Sequence, residues 1–158
     1  MSKVTTCLWF ASEAHEAAKL YTSLVPNSAI EGVHGAPADN PGTAEGAVLT
    51  VSFILDGQRF MGLNGGRPEA YGNAASIMVA CDTQGEIDRL WDALLQGGGK
   101  TLACGWLNDR WGVPWQIYPR RLLELTQGED KAAAQRVFTA MMGMVKLDLA
   151  GLEDAARA

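Results

Sequence analysis

The chain is poor in most of the features that give a sequence an obvious role. Its 158 residues hold three cysteines, Cys7, Cys81 and Cys104, an odd number with no CxxC spacing. That excludes a disulfide framework and a zinc knuckle and suits a reducing compartment, with the thiols acting as small buried hydrophobes. Basic residues are outnumbered, 13 Lys and Arg against 18 Asp and Glu, for a net charge of −5, and no basic tract interrupts the balance. Nucleic acids and anionic membranes both want a basic face, so neither is an expected partner. No segment approaches the roughly 18 apolar residues that span a bilayer. The start, Met1-Ser2-Lys3-Val4, runs into strand-like sequence rather than a basic, apolar and small-residue leader. A cytoplasmic location follows as an expectation.

What is present is ordinary globular material, with 47% hydrophobic and 20% charged residues, arranged as a repeat. Val4 to Phe10 reads as a strand. Ser12 is placed to cap a helix whose apolar stripe is Ala14, Ala17, Ala18, Tyr21, Leu24 and Val25. Pro26-Asn27-Ser28 stops it, and a short strand covers 29–33. Residues 35–46, rich in Gly, Pro, Ala and Asp, read as a mobile loop. Strands over 47–55 and 58–64 flank the hairpin signal Asp56-Gly57.

The pattern then recurs. A strand over 75–81 precedes the capping box Thr83 to Glu86, and the next helix carries Ile87, Leu90, Trp91, Leu94 and Leu95. Gly97-Gly98-Gly99 ends that helix. Strand material over 100–107, a turn over 108–112 and a last strand over 113–118 follow, then helices over 131–142 and 148–156. Glu16 to Tyr21 aligns with Glu86 to Trp91 at an offset of 70, and Gly57 to Phe60 with Gly112 to Trp115 at an offset of 55. The difference of 15 is close to the length of the loop at 35–46, which the second half lacks. The expected fold class is therefore α+β, two βαβββ modules over about 3–74 and 75–118 with a helical tail over 119–158, forming curved mixed sheets around a cleft.

The stretches Cys7-Leu-Trp-Phe10, Glu16-Ala-Ala, Pro26-Asn27-Ser28, Asp56-Gly-Gln-Arg-Phe-Met61, Leu63-Asn-Gly-Gly66, Cys104-Gly-Trp-Leu107, Asp109-Arg110 and Trp115-Gln116-Ile117 resemble the PhnB-like family of the glyoxalase/bleomycin resistance/dioxygenase superfamily. Members of that family often carry the label 3-demethylubiquinone 3-methyltransferase. The resemblance covers about residues 3–146 and implies a site on strands facing a cleft. It puts the metal-ligand positions of the superfamily on Thr6, Met61, Ser76 and Gln116. Only Gln116 passes as a ligand for a divalent ion, so no metal and no cofactor are expected.

Alternation along the strands nominates Thr6, Leu8, Phe10, Met61, Leu63, Ser76, Met78, Gln116 and Tyr118 as cleft-facing. Cys7, Trp9, Trp115 and Ile117 are set behind them. Trp106, from the aromatic cluster on the final hairpin, completes the ligand-binding set. Arg110, in the turn, could meet an anionic substituent. Other catalytic signals are weak. His15 and His34 have no nucleophile at a recognisable spacing, Gly99-Lys100-Thr101 follows a helix where a phosphate loop would precede one, and Ala11-Ser12-Glu13 has no glycine for a cofactor turn. The sequence thus points to a metal-free small-molecule-binding protein. The alternative is an enzyme acting on a small aromatic or quinone-like substrate, including the labelled methyl transfer. The apolar residues Val137, Phe138, Met141, Met142, Leu147, Leu149 and Leu152 of the tail argue for a homodimer.

Overall fold

The computed structural model describes residues 3–158. The chain divides into two compact units, the first ending at Ala70 and the second beginning at Tyr71. In the first, β1 (Thr6–Phe10) leads into α1 (Ala14–Leu24), then β2 (Ala29–Gly35), β3 (Val48–Leu55) and β4 (Gln58–Asn64). The sheet order is β1-β4-β3-β2, with β1 parallel to β4 and the other pairs antiparallel. Helix α1 lies on one face, where Tyr21 meets Phe53 at 6.3 Å between ring centroids and Phe53 stacks on Phe60 at 5.4 Å. Gly62 is needed at this contact, because a Cβ there would stand 2.9 Å from the Ala14 Cβ.

Ser12 does not cap α1. The helix starts after Glu13 without a cap from its own end, and the Ala14 N–H instead donates to the Asn64 side chain at the end of β4, at 2.9 Å. The segment at 35–46 is also not the loose loop its composition suggests. Ala36 exchanges backbone hydrogen bonds with Ala47 and Gly46 at 2.8 and 2.9 Å. The buried Thr43 donates its hydroxyl to the Asn64 carbonyl at 2.9 Å. Satisfied polar groups and a buried anchor tie down a segment that glycine and proline alone would leave free.

The second unit repeats the topology. It contains β5 (Ile77–Cys81), α2 (Gln84–Leu95), β6 (Lys100–Thr101), β7 (Trp106–Asn108) and β8 (Pro114–Pro119), in the order β5-β8-β7-β6 with β5 parallel to β8. Thr83 caps α2 as expected, its hydroxyl accepting from the Glu86 N–H at 3.2 Å. The strand material at 100–107 is split by Cys104 and Gly105, at φ 59° and 81°. The two modules and their mixed four-stranded sheets are the α+β arrangement the repeat implies.

The tail holds three helices rather than two: α3 (Arg121–Gln127), α4 (Lys131–Met142) and α5 (Leu149–Arg157). They close around Leu122, Val137, Leu147 and Leu152. Much of the apolar surface that argued for pairing is thus buried inside the tail itself, while Phe138 and Met142 remain about half exposed. The tail is strapped to the second unit. The Cys104 and Gly105 N–H groups each donate at 2.8 Å to the Met144 and Val145 carbonyls, Gln84 bonds the backbone at Leu147 and Leu149, and Lys146 reaches Asp88 at 3.0 Å. Among the described residues no helix is long and apolar enough to cross a membrane.

Candidate functional site

In the second unit the strand register sorts side chains cleanly. Ile77 pairs with Trp115 and Val79 with Ile117, and Trp115 and Ile117 are buried on the α2 side. On the other face Met78 pairs with Gln116, which in turn pairs with Trp106, and Tyr118 follows two residues on. Gln116 Nε2 donates to Ser76 Oγ at 2.8 Å, which fixes the amide at the middle of this face. Ser76, Met78, Trp106, Gln116 and Tyr118, all nominated from sequence, are therefore neighbours on one open sheet face.

That face is one wall of a recess of about 250 Å³. Met78, Trp106, Gln116 and Tyr118 form the sheet wall and Cys104 the rim. Leu122, Leu123 and Thr126 from α3 and Phe138 and Met141 from α4 complete the lining. Phe138 and Met141, which the sequence suggests for pairing between chains, thus line the recess instead. The cue available was the spacing of Phe138 and Met141 on one helical face, which is equally a sign of core packing.

In the first unit the strand β1 assignment has to be corrected. Its register sets Thr6 beside Phe60, Leu8 beside Gly62 and Phe10 beside Asn64. All three lie on the face covered by α1, and Leu8 and Phe10 are buried at 7% and 3% exposure. Thr6, Leu8 and Phe10 are thus not on the open face. Cys7 and Trp9 are, beside Met61 and Leu63 respectively. The cause is the apolar run Cys7-Leu8-Trp9-Phe10, in which both faces look like core, so that alternation carries no information about direction. A shift of one residue turns every side chain over. Met61 and Leu63 lie on that open face, half-buried.

Other prominent groups serve structure. The buried Asp109 accepts from the Trp111 and Val113 N–H groups and from Trp115 Nε1, each at 3.0 Å. Arg110 lies over the Trp111 ring at 5.0 Å, a cation–π contact. His15 is half-buried on α1 and His34 exposed on β2. Burial pushes the Cys81 thiol up to about 11, with the Glu86 and Asp82 carboxylates adding to the shift, so it is no nucleophile at neutral pH.

The sequence model of the 3-demethylubiquinone-9 3-methyltransferase family matches residues 2–118. The PhnB protein of Bacillus cereus is 36% identical over 73% of this chain and 98% of its own, with a TM-score of 0.65. The chain belongs to this family. A protein from Pseudomonas aeruginosa shares the fold at 21% identity, covering 75% of this chain and 98% of its own with a TM-score of 0.59. A glyoxalase/bleomycin resistance protein from Albidiferax ferrireducens T118 aligns at 17% identity over 74% and 98% of the two chains, with a TM-score of 0.45. No curated protein matches the chain.

The resemblance drawn from the sequence implies divalent-ion ligands at Thr6, Met61, Ser76 and Gln116. With the register corrected, Cys7 and Met61 are adjacent on the first unit's open face. Gln116 and Ser76 are adjacent on the second and already bonded to each other. Among the described residues no three His, Cys, Asp or Glu side chains come together. A thiol, a thioether, an amide and a hydroxyl bring no carboxylate or imidazole to balance a hard divalent ion. The residues present do not fit such a metal.

Proposed function

We propose that this member of the 3-demethylubiquinone-9 3-methyltransferase family is a small-molecule-binding protein that works without a catalytic metal. One observation carries the reading: an apolar, aromatic-lined recess of about 250 Å³ has a single side-chain amide, Gln116, fixed in its wall. Apolar walls with a few placed polar groups are the usual chemistry of small-ligand sites. Met61 and Leu63 are proposed as ligand contacts on the first unit's own open sheet face. Cys7, Cys81 and Cys104 are free thiols, which fits a cytoplasmic setting. Pairing into a homodimer belongs to the same reading, supported by the exposed Met142 and Val145. Sedimentation at micromolar concentration tests it, and a monomer there would refute it.

The binding reading is tested by native mass spectrometry of gently purified protein, together with a thermal-shift screen of small aromatic compounds. A retained ligand, or stabilisation that grows with ligand concentration, is the expected result. Absence of both across aromatic, quinone and aliphatic compounds would sink it. The family description supports a second reading, methyl transfer to a demethylated quinone. Turnover of such a quinone with a methyl donor, lost on Gln116→Ala, would replace binding by catalysis.

A further inference from the structure

The family match stops at residue 118, yet half the wall of the recess comes from beyond it. Leu122, Leu123, Phe138 and Met141 all lie in the tail over 119–158, on α3 and α4. The Bacillus cereus PhnB protein is covered over 98% of its length by only 73% of this chain, so the extra length here is not matched there. We infer that the tail is the specificity element of this chain: it turns the open sheet face of the second unit into a recess selective for a planar aromatic molecule carrying one hydrogen-bonding substituent. The inference rests on the small-molecule reading above and names the ligand class for that site.

Three features argue for a flat aromatic ligand. The lining is rich in rings and thioethers, with Trp106, Tyr118 and Met78 from the sheet and Phe138 and Met141 from α4. Rings stack on rings, and thioethers contact ring edges, in ways that saturated molecules of equal size do not reproduce. The volume of about 250 Å³ lies just below the range for drug-sized ligands, which suits a bicyclic aromatic rather than a long chain. Gln116 has a second amide N–H and a carbonyl oxygen besides the N–H held by Ser76. It can therefore meet either a hydroxyl or a carbonyl on the ligand.

The same arrangement explains a surface anomaly. Met78, Leu123 and Phe138 are large apolar side chains left 53%, 41% and 54% exposed. They line one recess, so one bound ring system would cover all three. The attachment of the tail holds that lining together. The Cys104 N–H, at the rim, donates to the Met144 carbonyl at 2.8 Å, and Cys104 Sγ lies 3.7 Å from Met142 Sδ.

Calorimetric titration of the full chain with 2-naphthol, and with its saturated analogue decahydro-2-naphthol, tests this. The wild type is expected to bind 2-naphthol about tenfold or more tightly than the saturated compound. The double substitution Leu123→Ala with Phe138→Ala removes two exposed side chains, so the fold survives, and is expected to raise the naphthol Kd about tenfold or more. Val33→Ala, an equally exposed apolar truncation on β2, is expected to leave it unchanged. Equal affinity for the two alcohols overturns the aromatic class. Unchanged naphthol affinity in the double variant, with loss in Met61→Ala, overturns the role of the tail while leaving small-molecule binding intact. No binding of either alcohol by the wild type, with a dimer that the double variant dissociates, gives the recess to a second copy and overturns the inference.

Discussion

Asn64 holds three parts of the first unit at once. Its Oδ1 accepts from the first N–H of α1, its Nδ2 donates to the Val48 carbonyl at 2.9 Å, and its own carbonyl accepts from Thr43. At 4% exposure water cannot replace the partners this side chain provides. Asn64→Ala is therefore expected to cost about 2–3 kcal/mol in urea denaturation, a lost cap plus a half-buried carbonyl left without its donor. Ser12→Ala, by contrast, is expected to change stability by less than about 0.5 kcal/mol. The local sequence favours Ser12 as the cap because capping rules look only at neighbours, whereas Asn64 is 50 positions away. Cys81 gives a residue-scale test by pH. Its pKa rises from 9.0 to about 11 on folding, chiefly because burial disfavours the thiolate. A pKa raised in the fold means stability that is complete below the unfolded value and lost as pH climbs through the folded one. The wild type is expected to lose stability relative to Cys81→Ala between about pH 9 and 11, read from urea midpoints at each pH. Parallel curves for the two proteins would refute the assignment.

At the scale of elements, the turn between β7 and β8 is written into the sequence and β1 is not. Asn108 to Gly112 is recognisable by composition, and Asp109 makes it rigid by accepting from two turn N–H groups and from the Trp115 indole across the hairpin. Asp109→Ala leaves three donors without this acceptor in a buried place and is expected to cost about 2–4 kcal/mol. Urea denaturation followed by tryptophan fluorescence would show it, and a cost below about 1 kcal/mol would mean the turn stands without its carboxylate. Polar residues inside β8 also made its faces legible, since Gln116 between Trp115 and Ile117 marks the open side. Strand β1 offers no such marker between Cys7 and Phe10, and its direction is set by its pairing with Gly62 and Asn64. Helix α3 was equally hidden. It is seven residues long and lacks a side-chain cap, so it forms because Leu122 enters the tail core rather than because its own sequence demands it.

For the whole molecule, the repeat was the legible part and the unequal treatment of its halves was not. Both sheets join their first and last strands in parallel and complete the order with antiparallel neighbours, as two copies of one unit should. The first unit covers one sheet face with α1, and among its described residues no second helix is present for the other. That other face carries Trp9, Met61 and Leu63. The second unit packs α2 on one face and sets α3 and α4 against the other. It also owns two sets of buried side chains, one around Leu94, Leu107, Trp115 and Ile117 and one around Leu122, Val137, Leu147 and Leu152. A fragment of residues 71–158 thus has apolar cover on both sides of its sheet and a length, 88 residues counted from Tyr71 to Ala158, within the range of independently folding domains. Expressed alone, it is expected to be soluble and to unfold in one sigmoidal urea transition by circular dichroism. Residues 1–70 carry an apolar face, with Trp9, Met61 and Leu63, that α1 does not cover, and alone they are expected to aggregate or to show no cooperative transition. Two independently folding fragments would mean that the first unit needs no cover for that face, and a second fragment that stays unfolded would mean that the tail stabilises the second unit only when the first is present.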